Sequence, residues 1–448
     1  MEQILELLNQ NKLADVRRLI TEENPVDIAE FCEELSQEQC LKLFRILPKN
    51  ISADVFSYLS IEKQQEIIEG ITDNELNFII NEMYLDDAVD VVEEMPANLV
   101  DRILRTSSPA TRKLINQFLN YPENSAGSVM TVEYIALKNT LTVGEALEYI
   151  KKSDIDSASY DTCYVIDPKR KLIGNISFKS LVFFDDVLDI VDVMETNIVM
   201  TTTTQDQENV AELFRKYDLT SMPVVDTEER LVGIITIDDI VDVIDRENTE
   251  DFQKMAAISP SDEEYLKESV FSLAKHRILW LLILMISATF TGRIIRRYEE
   301  VLQSVVVLAA FIPMLMDTGG NAGSQSATLI IRGIALGEIT LSDIWRIIWK
   351  ETRVSVIVGA ALSVINFARI LFFEHVPSQV ALVVSVSLFI TVVMAKVVGG
   401  VLPVVAKGCK MDPAIMASPL ITTIVDACAL TIYFALSTHF LHLTAAAV

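Results

Sequence analysis

Five long apolar segments crowd the second half of the chain, at about 277–297, 301–331, 354–373, 379–406 and 413–441. Each is long enough to cross a hydrocarbon layer of roughly 30 Å as a helix. The first part of the chain is of another kind. Of 63 acidic residues, 54 precede residue 271, with only 24 of the 37 basic ones, so that part carries −30 against +4 for the rest. Such a surface repels nucleic acid and anionic lipid and attracts cations. Apolar residues recur through it, so it is not disordered.

Residues 1–127 read as an all-α N domain with apolar residues at helical spacing. A lag of 24 aligns Leu47, Ile71 and Met95, then Asn50, Asn74 and Asn98, then Val55, Ile79 and Ile103. A lag this short fits stacked helix pairs, each burying its apolar face on the next. Residues 128–246 hold a second repeat. Val165-Ile166-Asp167 and Leu172-Ile173-Gly174 return 59 residues later as Val224-Val225-Asp226 and Leu231-Val232-Gly233. Strand, turn and strand then lead into a helix at Asp238-Asp239-Ile240, which makes a tandem α/β module. It resembles a pair of CBS domains, in which the spacing Thr236-x-x-Asp239 often holds a ribose; the first repeat has Ser177 and Ser180 there and lacks the acid. A charged helical connector is expected over 247–274, and an all-α five-helix transmembrane domain over 275–448.

Five spans put the termini on opposite sides of the membrane. Met1 opens an amphipathic charged helix rather than a signal peptide, so the acidic part is expected in the cytosol. Arg332, Arg346, Lys350, Arg353, Lys407 and Lys410 then lie on the cytosolic side, as the positive-inside rule requires, whereas Arg293, Arg296 and Arg297 go against it. The five cysteines are scattered, without a CxxC pair, and read as reduced thiols.

Asp426 lies in Leu420-Ile-Thr-Thr423-Ile-Val-Asp426-Ala-Cys-Ala-Leu430, with no basic residue within a turn or two. A carboxylate at bilayer depth costs at least ~2.5 kcal/mol. Three readings are open: a protonated group bonded between helices, a proton relay, or a cation site. The second apolar segment bears on the choice. It contains Asp317-Thr-Gly319-Gly320-Asn321-Ala-Gly323-Ser-Gln325-Ser326-Ala-Thr328. Adjacent glycines loosen a helix and expose carbonyl oxygens where a cavity satisfies them. Gly319 and Gly323 also form a GxxxG, which serves close helix packing. Asp, Asn, Gln, Thr and carbonyl oxygens favour a hard cation, and the four histidines form no ligand cluster for zinc or copper. Magnesium keeps several waters, which suits a sparse site. No Walker loop is present, so an ATP-driven pump is not expected. The membrane potential supplies ~2.3 kcal/mol per charge per 100 mV, roughly 4.6 for a divalent ion.

Acid clusters flank the domain joints: Asp86-Asp87-x-x-Asp90, Asp238-Asp239 with Asp242, and Glu247 with Glu250-Asp251. Most such residues are solvated surface. Yet two carboxylates 4 Å apart repel by ~4 kcal/mol at an effective dielectric of 20. A divalent ion between domains cancels that repulsion and depletion restores it, which is a concentration sensor in outline.

The full length resembles the MgtE family of bacterial magnesium channels. The order of parts agrees, and the motifs Gly319-Gly320-Asn321-Ala322-Gly323-Ser324-Gln325-Ser326-Ala327-Thr328 and Asp412-Pro413-Ala414…Pro419-Leu420…Thr423…Asp426 carry the likeness. The resemblance implies a homodimer in a bacterial inner membrane, with a magnesium pore on the two-fold axis. That pore is lined by the second and fifth spans through Gly319, Gly320, Asn321, Gly323 and Thr423. Asp426 matches the pore aspartate and Asp412 an acid near the cytosolic mouth. Asp54, Asp86, Asp90, Asp206, Glu208, Asp218, Asp239, Asp242, Glu247, Glu250 and Asp251 fall where the family places magnesium-sensing acids. Asp54 stands where the family has Glu, Ser418 where some members have Asn, and Asp317 where some have Gly. Some members bind ATP in the CBS pair, and here Thr236 and Asp239 keep that pattern. The chain therefore reads as no enzyme but a potential-driven magnesium channel closed by cytosolic magnesium. Its rivals are a proton- or sodium-coupled carrier for manganese or cobalt, and a membrane-anchored sensor that conducts nothing.

Overall fold

The computed structural model describes residues 1–153, 161–261, 265–266, 268–374, 376–416 and 418–442; His375 and the side chains of Asn50 and Ser418 lie outside it. The chain divides into two compact units, Met1–Ile244 and Asp245–Val448.

The first unit opens with ten short helices: α1 (Glu2–Asn9), α2 (Leu13–Ile20), α3 (Pro25–Glu34), α4 (Gln37–Ile46), α5 (Lys49–Ser57), α6 (Ile61–Gly70), α7 (Asp73–Glu82), α8 (Leu85–Glu94), α9 (Ala97–Thr106) and α10 (Pro109–Phe118). Their N-caps fall every twelve residues, at Asn24, Ser36, Pro48, Ser60, Thr72, Tyr84, Pro96 and Ser108. Ser36 with Gln39 and Thr72 with Glu75 close full capping boxes, which satisfy the first backbone amides and stop the preceding helix. The residue just before each cap is apolar and buried at Leu35, Leu47, Leu59, Ile71, Met83 and Met95. The lag of 24 in the sequence is thus two twelve-residue helical units. Alternate helices pack on one another, α3 on α5, α5 on α7 and α7 on α9, which gives the stacked-pair arrangement.

Two three-stranded sheets follow. In the first, β1 (Ala136–Lys138) pairs parallel to β2 (Thr162–Ile166), which pairs antiparallel to β3 (Leu172–Ser177). α11 (Val143–Lys152) connects β1 to β2, and α12 (Phe178–Phe183) and the single turn α13 (Ile190–Val193) follow β3. In the second, β4 (Thr201–Thr202), α14 (Gln207–Tyr217), β5 (Ser221–Val225) and β6 (Leu231–Thr236) repeat the order, and α15 (Ile237–Met255) leaves the sheet. The repeat holds in detail. The bulge at Val165/Ile166 recurs at Val224/Val225, and the left-handed turn residue Arg170 recurs as Glu229. Asp167 and Asp226 each accept two backbone amides in the strand-to-strand turn. The two modules join through Lys171 and Arg230, and through the Tyr164 and Ser221 hydroxyls 2.7 Å apart.

The expected connector over 247–274 is not one helix: α15 ends at Met255, and among the described residues helix resumes only at Val270. Ala257 adopts a positive φ of 55°, Ile258 returns its amide to the Gln253 carbonyl at 2.9 Å, and Pro260 follows. That is a left-handed helix stop followed by proline.

The second unit contains α16 (Val270–Arg297), α17 (Glu299–Ser304), α18 (Ile312–Ala335), α19 (Ile344–Arg369), α20 (Ser378–Gly408) and α21 (Ser418–Phe440). With their flanking 3₁₀ and π turns they form five helical stretches long and apolar enough to span a bilayer. The third begins at Leu341, thirteen residues before the expected start. Its first turns carry Trp345, Arg346, Trp349, Lys350 and Arg353, with both tryptophans exposed, so interfacial residues hid an apolar helix from the hydropathy pattern.

α18 packs on α20 and α21, and α19 on α20. Glycine sets how close they come. A Cβ on Gly399 would run into the Gly323 carbonyl oxygen, a backbone atom that cannot swing away. Gly319 abuts Thr391 and Val425, and Gly320 abuts Thr422. Of the two readings of these glycines, a loosened helix and close packing, the second is what they do within the bundle: they sit buried inside a continuous α18. Gly399→Ala should therefore destabilise the bundle by roughly 1–3 kcal/mol of overpacking strain, read as a lower thermal midpoint in detergent. Gly292, with nothing within 4 Å, is the control and should accept Ala without loss. Equal midpoints for the two variants would contradict this packing.

Candidate functional site

In the membrane unit, Asp426 is half-buried in α21, and its Oδ1 is buried without a hydrogen-bond partner among the described residues. Asp317 of α18 lies within electrostatic reach of it. The face of α18 that carries Asp317 is clear from the register. Asp317, Asn321, Gln325 and Thr328 are all exposed, at i, i+4, i+8 and i+11, so they line one side of the helix. The opposite side, with Gly319, Gly320, Ala322 and Gly323, is buried in the bundle. A polar stripe on a helix of membrane length faces either water or another protein surface, since lipid would leave its groups unbonded. On α21, Thr422 and Thr423 donate their hydroxyls back to the Pro419 carbonyl at 2.9 and 3.0 Å, so Thr423 offers only lone pairs to a ligand.

A second set of carboxylates surrounds Lys254, near the end of α15. Its Nζ is 2.5 Å from Glu250 Oε1 and 2.6 Å from Asp412 Oδ2. Burial works against the Lys254 charge, but the hydrogen bonds to Asp412 and Glu250 outweigh it and raise its pKa. Asp251 beside them is pushed up to about 6 by burial and then by Asp412. Asp412 also accepts the Ala414 amide at 2.8 Å, which caps the 3₁₀ turn leading into α21. The structure thus gathers Glu250, Asp251 and Asp412 around an ammonium, where the sequence reading has only acids.

The third set lies in the first unit. Asp86 and Asp87 of α8 face Asp239 of α15, with Asp54, Asp238 and Asp242 in the same field. Burial, then Asp239 and Asp87, holds Asp86 well above the usual carboxylate range, and its Oδ1 is buried without a partner among the described residues. Asp87 is pushed up to about 6 by burial, then by Asp239 and Asp54. Asp239 is likewise raised to about 6, chiefly by burial, although the Thr236 hydroxyl donates to it. The Thr236–Asp239 pair therefore bond each other at the start of α15. The acids face one another without closing: among the described residues, no group of three His, Cys, Asp or Glu is arranged to hold a metal ion. The remaining acids are apart from these. Asp206 caps the start of α14 through the Glu208 amide, whereas Asp218 ends that helix in a left-handed turn, roughly 18 Å away at 1.5 Å per residue.

Sequence reasoning missed Lys254, Glu351 and Lys396. Ser326 Oγ donates to Glu351 Oε2 at 2.6 Å, Lys396 Nζ lies 3.5 Å from that hydroxyl, and all three residues are buried. A Lys inside the most apolar span was the available signal, by the same cost argument applied to Asp426.

Five membrane-length helices, a charge-bearing bundle and a separate acidic unit define a multi-pass membrane protein of the transporter class. Residues 312–436 match the MgtE family, described as a divalent cation transporter; residues 23–124 match the MgtE intracellular N domain, and 190–246 the CBS domain. The chain is 35% identical to the magnesium transporter MgtE of Thermus thermophilus, over 96% of each chain. It is 33% identical to that of Bacillus subtilis, over 98% of this chain and 97% of the other. A solved cytosolic domain of the Mg2+ channel MgtE in complex with ATP superposes with a TM-score of 0.51 at 34% identity, covering 54% of this chain and 98% of that one. The soluble part of a magnesium transporter gives 0.52 at 28% identity, with 55% and 97% coverage. The chain belongs to the MgtE family.

Raised carboxylate pKa values mean that the folded unit holds protons the unfolded chain has released. The share of stability linked to Asp87 and Asp239 then falls as pH rises from the unfolded value near ~3.9 through about 6, and levels off above it. Asp87→Asn should stabilise the metal-free full chain at pH 7.5 by roughly 1–2 kcal/mol, read as a higher unfolding midpoint. It should also flatten the fall between pH 4 and 6. A lowered midpoint would show that Asp87 stabilises the joint as a charge.

Proposed function

We propose that the chain is a magnesium-selective channel of the bacterial inner membrane, driven by the membrane potential and closed when cytosolic magnesium binds its acidic N and CBS domains. The observation that carries the reading is Asp426: a carboxylate in a membrane helix, with one oxygen buried and unbonded among the described residues. Opposite-charge compensation by a permeant cation relieves its desolvation. On the stripe, Asp317, Asn321 and Thr328 supply oxygens along the same path, and Gly319, Gly320 and Gly323 bring α18 close enough to α21 to do so. A homodimer places two such surfaces on one axis and turns the exposed polar stripe into a lining. Thr423 contributes acceptor lone pairs.

Closure is assigned to the acids at the joints. Asp54, Asp86, Asp90, Asp239 and Asp242 form one sensing group, and Glu247, Glu250, Asp251 and Asp412 another; Asp206, Glu208 and Asp218 are outlying acids of the same role. Asp86, Asp87 and Asp239 are raised and unclosed without a cation, so divalent binding removes a repulsion already in place. A shift from 1:99 to 99:1 requires ~5.5 kcal/mol of differential binding, which several weak sites share. A relative's cytosolic domain is solved with ATP, and Thr236 with Asp239 is the position here for the ribose of such a nucleotide.

Asp426→Ala in liposomes should lower potential-driven magnesium uptake by about tenfold or more, the equivalent of losing ~1.4 kcal/mol of site affinity. Undiminished uptake would contradict the pore assignment. For closure, Asp86→Asn, Asp90→Asn and Asp239→Asn combined should leave flux high when magnesium is raised on the side of the acidic domains. Normal closure would remove the sensing role.

A further inference from the structure

Lys396 is the one buried basic side chain among the described residues, and it lies in α20, the most apolar of the five spans. A charge at that depth is kept only with partners. Its surroundings are built for it. Ser326 Oγ, 3.5 Å from the ammonium, donates in turn to Glu351 Oε2 at 2.6 Å, so the counter-charge reaches Lys396 through a hydroxyl. Gly400 lies one turn further along α20, on the same side. A Cβ there would stand 3.1 Å from Glu351 Cγ, so its absence admits the carboxylate. Three helices, α18, α19 and α20, thus meet at one buried polar junction.

That junction touches the polar stripe. Lys396 Nζ is also 3.5 Å from Gln325 Oε1, and Gln325 follows Asp317 and Asn321 on the exposed face of α18. An ammonium has donors only, so the amide atom turned toward it is the oxygen. Lys396 therefore reaches from the interior to the back of the stripe and engages the one strong acceptor that Gln325 owns. Free amide and carbonyl oxygens favour calcium, which takes six to eight oxygen ligands and sheds water readily; magnesium keeps its water.

We propose that Lys396, held by Ser326 and Glu351, is a positioning residue that keeps the Gln325 amide oxygen out of the ion path, so that magnesium passes hydrated and calcium is not captured there. This rests on the reading that the α18 stripe faces the path. Glu351 and Ser326 hold Lys396, and Gln325 is the group it acts on.

The test is magnesium uptake by the full chain in liposomes, with calcium added as inhibitor. Lys396→Met with Glu351→Gln removes both charges and leaves no uncompensated one. This pair should conduct magnesium but become about tenfold more sensitive to calcium, as expected for ~1.4 kcal/mol of gained affinity. Adding Gln325→Leu should restore the original calcium sensitivity, and Lys396→Arg should keep it. Unchanged sensitivity in the charge-removed pair, or no reversal by Gln325→Leu, would overturn the proposal. Gln325→Leu alone changes an exposed residue and serves if the pair fails to fold. It should leave both uptake and calcium sensitivity as in the parent chain, and a loss of uptake would make its oxygen a direct ligand and overturn the proposal. Asp426→Ala separates the two levels. If it conducts normally, the path itself is misplaced. If it is inactive while the pair keeps parental calcium sensitivity, only the role of Lys396 fails.

Discussion

The membrane unit rests on how closely two helix backbones approach, at Gly323 of α18 and Gly399 of α20. No other residue type fits there, because the opposing atom is a carbonyl oxygen. The contact fixes the rotation of α18. With its small residues committed to the bundle, its polar residues are forced to the other side, and Asp317, Asn321, Gln325 and Thr328 become a continuous stripe. Gly320 against Thr422 and Gly319 against Val425 bring α21 to the same helix, and with it Asp426. The packing glycines therefore act on the site indirectly: they decide which side chains it receives.

Charge is handled differently in three places. At Glu351 and Lys396 opposite charges share a buried hydroxyl and are settled within the chain. At Glu250, Asp412 and Lys254 an ammonium sits among carboxylates, a tethered monovalent cation where the sequence suggests a divalent one. At Asp86, Asp87 and Asp239 no ion pair among the described residues compensates the acids, and burial with neighbouring carboxylates raises all three. Only this last set gains outright from an added cation, since the second must first displace its lysine.

Much of the architecture was legible because it is written in periods. The lag of 59 survives in the structure down to a matching bulge and a matching left-handed turn residue, because two copies of one strand–turn–strand unit obey the same backbone rules. The lag of 24 marks helix pairs but hides its own half, since N-caps as unlike as Pro48 and Thr72 serve the same step and only capping geometry relates them. Asp426 stood out on cost alone, and Lys396 carried the same signal. Glycine in the second segment was ambiguous: GxxxG fits a loosened helix or a tight one, and only neighbours on α20 and α21 decide it. The Lys254 contact and the facing of Asp86 on Asp239 were illegible, because they join residues 158 and 153 positions apart.

The central claim is that a dissolved ion passes through this bundle down its electrical gradient, using Asp426. Single-channel recording of the purified chain in a planar bilayer, with magnesium as the only permeant cation and equal pH on both sides, tests it most directly. Unitary currents should appear and scale with voltage, and magnesium added on the side of the acidic domains should silence them. Magnesium uptake by the same preparation with no unitary current, or a current that requires a pH gradient, would contradict the account.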